Sequence, residues 1–515
     1  MKAIAKLLAA AALATLAGPA AAQTVTVALN ADIRSINPGV NRDDNTDRVV
    51  LHMVEGLVGY REDGSVGPLL AESVGLSADG RAYTFRLRAG VRFHTGAEMT
   101  SAEVLWSWKR YMDPKTEWRC QQAFDGQAGF KVADVAAPDA RTVVMTLNQP
   151  SALFLHALAS TDCAMVGILH PASLNADGSF NQPIGTGPYR FAEWKRGQYV
   201  TLARFEDYAA LPGDRADGYV GAKRPLIKEV RFLVVPDAAA TKAGLLSGRL
   251  DVVDVPDTDI PELQKNPAIT VQTAPTAVKH TFLFQTRDAV VGDVRLRRAI
   301  AAALDLPQLV AAVSNGLAEP NGSAIHTTSG YYGEAQKRNH VHDPAAARKL
   351  LQEAGYKGEK IKLMANRRSI MPSFPAALIA QNMLQGVGIN TEIEVLEWAT
   401  QLDRYLKGSF QMMSFSYSAR LDPAMSYEQF TGPKDRQPRK VWDNPEVQGL
   451  LERAMTISAE DERRRIFDDL HARQLAEVPL IILFNGVDSA ATTKRVKGFR
   501  PWVASKPRLW EVRLD

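Results

Sequence analysis

Two spacings of apolar residues take turns along this chain. Every second position is apolar in "QTVTVALN" (23–30), the mark of a half-buried strand, and "RAYTFRLRAGVRF" (81–93) reads as two short strands around Ala89-Gly90. "MTSAEVLWSWKRYMDP" changes to helical spacing: Thr100 and Glu103 stand at capping-box distance and Asp113-Pro114 stops the run. Trp106, Trp108 and Tyr111 on that helix are expected to pack inward. "PDAAATKAGLLSGRLDVVDV" predicts a helix capped by Asp237 and stopped by Gly248, then a strand. "HDPAAARKLLQEAGY" repeats the logic with Asp343 as cap, Pro344 at the first helical position and Gly355 past the end. "SAEDERRRIFDDLHARQLAEV" predicts a late helix from Ser458 whose charges form a solvated face, and "VPLIILF" (478–484) has the length of a buried strand. Strand and helix signals alternate to the end without a fixed-period repeat, which predicts an α/β fold.

The first residues break this pattern. Lys2 and Lys6, an apolar run from Leu7 to Ala17, and small residues ending Ala20-Ala21-Ala22 have the order of a secretory signal peptide over residues 1–22. Cleavage after Ala22 would leave Gln23 first, with no cysteine there to take a lipid, so the expected product is periplasmic and unanchored. No later apolar run approaches the ~20 residues of a membrane span. The remaining length, within 515 residues, is enough for two or three packed units.

Removing Lys2 and Lys6 brings the formal charge from +4 to +2. No concentrated basic face stands out, which argues against nucleic acid as a partner. The two cysteines, Cys120 and Cys163, are expected to form a disulfide in an oxidising compartment, free thiols being the alternative. Neither has flanking ligands at zinc spacing, so neither metal nor cofactor is implied. "GTG" (185–187) runs into Pro188-Tyr189-Arg190 and reads as a turn before a strand, and "HVH" (340–342) abuts a helix cap and reads as a surface loop. G-x-S-x-G, H-E-x-x-H and Walker signatures do not occur, so the chain is not expected to be an enzyme.

Several longer stretches, in order, do carry a family likeness. The run 51–110, from "LHMVEGLVGY" to "LWSWKR", together with "IGTGPYRFAEWKRGQYVTLARFEDY", "IKEVRFLVVPDAAATKAGLLSGRLDVVD", "DVRLRRAIAAALDLPQLV", "HDPAAARKLLQEAGY" and "RVKGFRPW", resembles the extracytoplasmic solute-binding proteins of ABC importers, family 5, the dipeptide- and oligopeptide-binding group. The resemblance covers residue 24 to the end. It implies the two-lobed periplasmic binding protein fold of the large peptide-binding type, with an extra subdomain inserted in the first lobe. On this chain lobe I would be 23–64, 185–274 and 487–515, the inserted subdomain 65–184, and lobe II 275–486. A disulfide would then lie within the insert, and the lobes would hinge near Thr276–Lys279 and Asn485–Asp488. The implied partners are a peptide or other small-molecule ligand and the permease subunits of an importer, with the receptor itself a monomer.

The resemblance also locates a pocket wall in "LEWATQLDRYLKGSFQMMSFSYSARLDP". Trp398 falls on a pocket-wall aromatic, and Tyr417, flanked by Ser416 and Ser418, falls on the tryptophan that in the oligopeptide binders precedes an ammonium-binding aspartate. Counting three residues on reaches Arg420, and an earlier gap reaches Ala419; neither is a carboxylate. Asp422, before Pro423, is expected to form a turn, the alternative being that a shift brings it into the cleft. A guanidinium suits a carboxylate, phosphate or sulfonate and repels an ammonium. Arg420 is therefore expected to recognise an acidic group on a peptide-like solute, the alternative being that it faces solvent or pairs with Asp422. Arg42, Asp43 and Asn45 on the first lobe, and Phe484 and Asn485 at a crossing, complete the candidate set, with Arg367 and Arg368 as a weaker signal. A receptor for a non-peptide or metal chelate, and an exported hydrolase, are the competing functions.

Overall fold

The computed structural model describes residues 24–40, 44–127, 129–368 and 371–515. Its backbone is a ten-stranded mixed sheet that runs through both lobes. The strands follow in space as Thr391–Val395, Ile361–Ala365, Met412–Tyr417, Ile269–Phe284, Leu480–Thr493, Val252–Asp254, Thr24–Leu29, Glu229–Val234, Tyr199–Arg204 and Tyr189–Lys195. The two longest, Ile269–Phe284 and Leu480–Thr493, lie antiparallel at its centre and cross from one lobe to the other. Their pairing slips where they cross: Pro275 faces Val487, Lys279 faces Asn485, and a second shift follows at His280. Such bulges bend a ladder locally.

Each half of the sheet has its own core. Val25, Val27, Leu29, Val230 and Phe232 pack in the first lobe, and Phe282, Ile361, Leu363, Ile300 and Leu384 in the second. A separate four-stranded antiparallel sheet, Ala71–Leu76, Ala82–Leu87, Thr142–Leu147 and Val132–Asp139, belongs to the region expected to be inserted. The helix Ser101–Met112 covers it, closed by the expected capping box between Thr100 and Glu103. Trp108 and Tyr111 are buried in that core, and Trp106 is half-buried against the first lobe.

The other caps also form. Asp237 accepts from the Ala240 N–H, Asp343 from Ala345 and Ala346, and Gly355 takes the left-handed conformation that ends its helix at φ 68°. Three expectations need correction. The segment after Ala89-Gly90 makes one bridge, Arg92 with Glu98, where a second strand was expected. The late helix is Glu460–Glu477, starting two residues after Ser458, because no cap hydrogen bond holds the residues before it. Its charge run is also not simply a solvated face, since Arg463 is buried.

Cys120 and Cys163 are joined by a disulfide, S–S 1.99 Å. The neighbouring Arg119 reaches outward to Asp47 on the helix Asp44–Val50 (2.8 Å), and its N–H donates to the Gly39 carbonyl. The linked loop thus rests on the segment that precedes this first-lobe helix.

Candidate ligand-binding site

The site is built where the strand Met412–Tyr417 runs out of the sheet. That strand lies between the parallel Ile361–Ala365 and the crossing strand Ile269–Phe284, with Tyr417 opposite Lys279. Ligands of open α/β sheets bind beyond the carboxyl ends of strands. Beyond this end, Ser418–Asp422 forms the seam between the lobes: Ala419 and Leu421 pack against the apolar core shared by the first lobe and the insert.

Asp422 closes the seam. Its Oδ1 accepts from the Ala424 N–H (2.8 Å), capping the helix Pro423–Glu428, so the turn expectation holds. The same carboxylate accepts two bonds from Arg463 Nη2 (2.9 and 2.8 Å) and lies 3.2 Å from Nε2 of His156, a residue of the inserted region. Burial alone would raise its pKa. Arg463 and His156 overcome burial and hold the carboxyl below its ordinary range. A backbone bond from Ala152 to the Met455 carbonyl (2.8 Å) crosses the same seam.

Arg420 does not pair with Asp422, which corrects one alternative. Its Nη1 donates to the Ala419 carbonyl (2.8 Å) and to Ser418 Oγ (3.1 Å), and it forms no ion pair among the described residues. The physical reason is competition: Asp422 already takes two bonds from Arg463 and one from the cap. Tyr60 of the first lobe lies within electrostatic reach of both Arg420 and Asp422.

The other candidates divide. Ser416 Oγ meets His280 Nδ1 at 2.8 Å, and the His280 ring lies 4.6 Å from Phe484. Asn485 accepts from Asn321 (2.7 Å) and donates to the Val278 carbonyl (3.1 Å), bracing the crossing. Tyr417 is buried in the second lobe's aromatic cluster, edge-on to Phe415, its hydroxyl 3.5 Å from that of Tyr405. Trp398 is half-buried, stacked on Phe415, with the Arg368 guanidinium 4.7 Å over its ring. Arg367 lies similarly over Phe374. Arg367 and Arg368 follow the strand Ile361–Ala365 and so share the carboxyl-end edge with Ser418–Arg420. Asn45 donates to Asn30, at the end of the first strand, 2.9 Å away. Arg42 and Asp43 lie outside the described residues.

Two lobes thus lie on a shared sheet and meet across strand ends, and comparison with known proteins gives the family. The model of the bacterial extracellular solute-binding proteins, family 5, matches residues 65–437, more than half of the chain. The chain belongs to that family. It is the substrate-binding receptor of an ABC importer.

A probable D,D-dipeptide-binding periplasmic protein of Escherichia coli K12 is 28% identical to this solute-binding protein over 491 residues, covering 91% of this chain and 90% of that one. HbpA2 from Haemophilus parasuis superposes with a TM-score of 0.82 at 22% identity, over 96% of this chain and all of its own. The binding protein AgaA from A. tumefaciens R10, solved with agropinic acid, gives a TM-score of 0.68 at 26% identity over 96% and 99% of the two chains. These similar proteins differ in cargo, one being named for D,D-dipeptides and another holding agropinic acid.

Sequence reasoning missed three participants in this receptor's seam. Arg463 was masked by the surrounding charge run, and His156 has no distinguishing neighbours. Lys279 did leave a signal, as a lone lysine in the strand "TAVKHTFLF". The spacing of its apolar neighbours marks that stretch as interior, where an unpaired ammonium is out of place.

Proposed function

We propose that this receptor captures an acidic, peptide-like solute in the cleft between its lobes and delivers it to the membrane permease of its importer. The observation that carries this reading is the fate of the two charges after Tyr417. Asp422 is occupied by Arg463, His156 and a helix cap, and so is not available to hold a ligand ammonium. Arg420, on the same seam, has donors to offer and no carboxylate partner among the described residues. A guanidinium in that position favours a carboxylate and disfavours a free amine by like-charge contact. Arg368 over Trp398 adds a second cationic donor along the same edge. The agropinic acid bound by AgaA is consistent with an acidic cargo on this fold.

The remaining parts follow from that role. The lobes are 23–64 with 185–274 and 487–515, and 275–486, with 65–184 inserted. The bulged crossings at Thr276–Lys279 and Asn485–Asp488 act as the hinge, and ligand binding shifts the population toward the closed form. Export removes residues 1–22, leaving a periplasmic monomer that binds its cargo without chemical change.

Mass spectrometry of compounds that co-purify with the native protein tests the cargo, and an acid is the expected result. With the identified compound, calorimetry on Arg420→Ala should show roughly 10- to 100-fold weaker binding. Unchanged affinity, or a co-purifying cation, would remove Arg420 from the site.

A further inference from the structure

Lys279 is a fully buried lysine at the crossing, opposite Tyr417 on one side and Asn485 on the other. Among the described residues its Nζ reaches the Ala277 carbonyl and Ser426 Oγ, each at 3.3 Å. Ser426 in turn donates to the Arg420 carbonyl (3.1 Å), which ties the lysine to the seam. Among the described residues no carboxylate pairs with it. The charged and titratable groups facing it are Arg420 on the seam and His326 on the loop that follows the second-lobe helix Leu306–Val313. Asp422 belongs to Arg463 and His156, and Asp63, on the first-lobe hairpin, is felt at His326. Burial, and then Arg420, push the Lys279 ammonium down to about 7. A buried ammonium beside a second cation and without an anion is costly, and a bound anion removes that cost.

We propose that Lys279 and Arg420 together form the floor of an anion subsite that receives one carboxylate of the solute when the lobes close. This rests on the acidic-solute reading and names a second residue that enforces it. Arg420 would supply a planar fork from the seam and Lys279 a point charge, the two residues being linked through Ser426, which accepts from Lys279 Nζ and donates to the Arg420 backbone carbonyl. Entry of the anion restores the proton to Lys279, so binding is coupled to proton uptake above neutrality.

The test uses two acid and amide pairs: glutarate against glutaramide, and N-acetyl-Ala-Glu against its diamide. Thermal shift and calorimetry are run on wild type, Lys279→Met, Lys279→Gln and Arg420→Ala. Wild type should prefer the acids, and each Lys279 variant should lose roughly tenfold or more for the acids while its amide binding is unchanged. At pH 8 the acids' binding heat in wild type should depend on the buffer's ionisation enthalpy, reporting proton uptake, and this dependence should vanish in both Lys279 variants. Acid preference and proton uptake that persist in both would overturn the subsite; loss of preference in Arg420→Ala alone would then leave the acidic-solute reading standing. Failure of wild type to bind either acid would overturn both.

Discussion

Asp422 is inaccessible to solvent, so its contribution depends on its partners. Asp422→Ala leaves Arg463 buried without its counter-charge and removes a helix cap, and should cost about 3–5 kcal/mol in urea unfolding. The pH dependence has a defined sign. The native carboxyl titrates below 3.8, so its stabilisation is fully present above that value and is lost as pH falls through the native pKa. Lys279 acts in the opposite direction. Its native pKa of about 7 lies below the ordinary 10.5, so the unfolded chain binds the extra proton between them. Stability of the ligand-free protein should therefore rise from pH 7 to pH 10, and Lys279→Met should abolish that rise in denaturant titrations. Neither residue could be assigned its partner in sequence, since Arg463 lies 41 positions from Asp422 and Ser426 lies 147 from Lys279.

At the scale of elements, local signals were legible and meetings between elements were not. The Thr100–Glu103 box, the Asp237 and Asp343 caps and Gly355 all act through bonds a few residues long, which sequence displays directly. The short helix Phe154–Ala159 carries no side-chain N-cap hydrogen bond and little local logic, yet it places His156 against Asp422. His156→Ala should loosen the seam by about 1 kcal/mol, a hydrogen bond's worth, and shift the receptor toward an open form. Small-angle scattering should then show a larger radius of gyration without ligand, and saturating cargo should restore the wild-type value. An unchanged radius would mean that the Ala152–Met455 bond and the Leu421 packing hold the seam alone.

For the whole molecule, the disulfide joins positions 43 apart in sequence. Cys120→Ser with Cys163→Ser should lower stability by about 2–4 kcal/mol through the freer unfolded chain. Because Arg119 bridges to Asp47, the same double variant should also weaken ligand binding if the first-lobe helix Asp44–Val50 lines the cleft. Calorimetry on the folded variant separates the two effects.

Motifs spread from residue 51 to the C-terminal end carried the family, and with it the two-lobed fold and the receptor role, because a shared fold leaves its apolar spacing and turn residues in many places at once. The missing carboxylate after Tyr417 was also legible, as a residue type at a counted position. What Arg420 and Asp422 pair with was decided only in three dimensions. Charge pairing depends on which side chains converge within a few ångströms, and here the seam brings together residues from the insert, the crossing strands and the late helix. The folded chain gives Asp422 to Arg463 and leaves Arg420 and Lys279 without a carboxylate partner among the described residues.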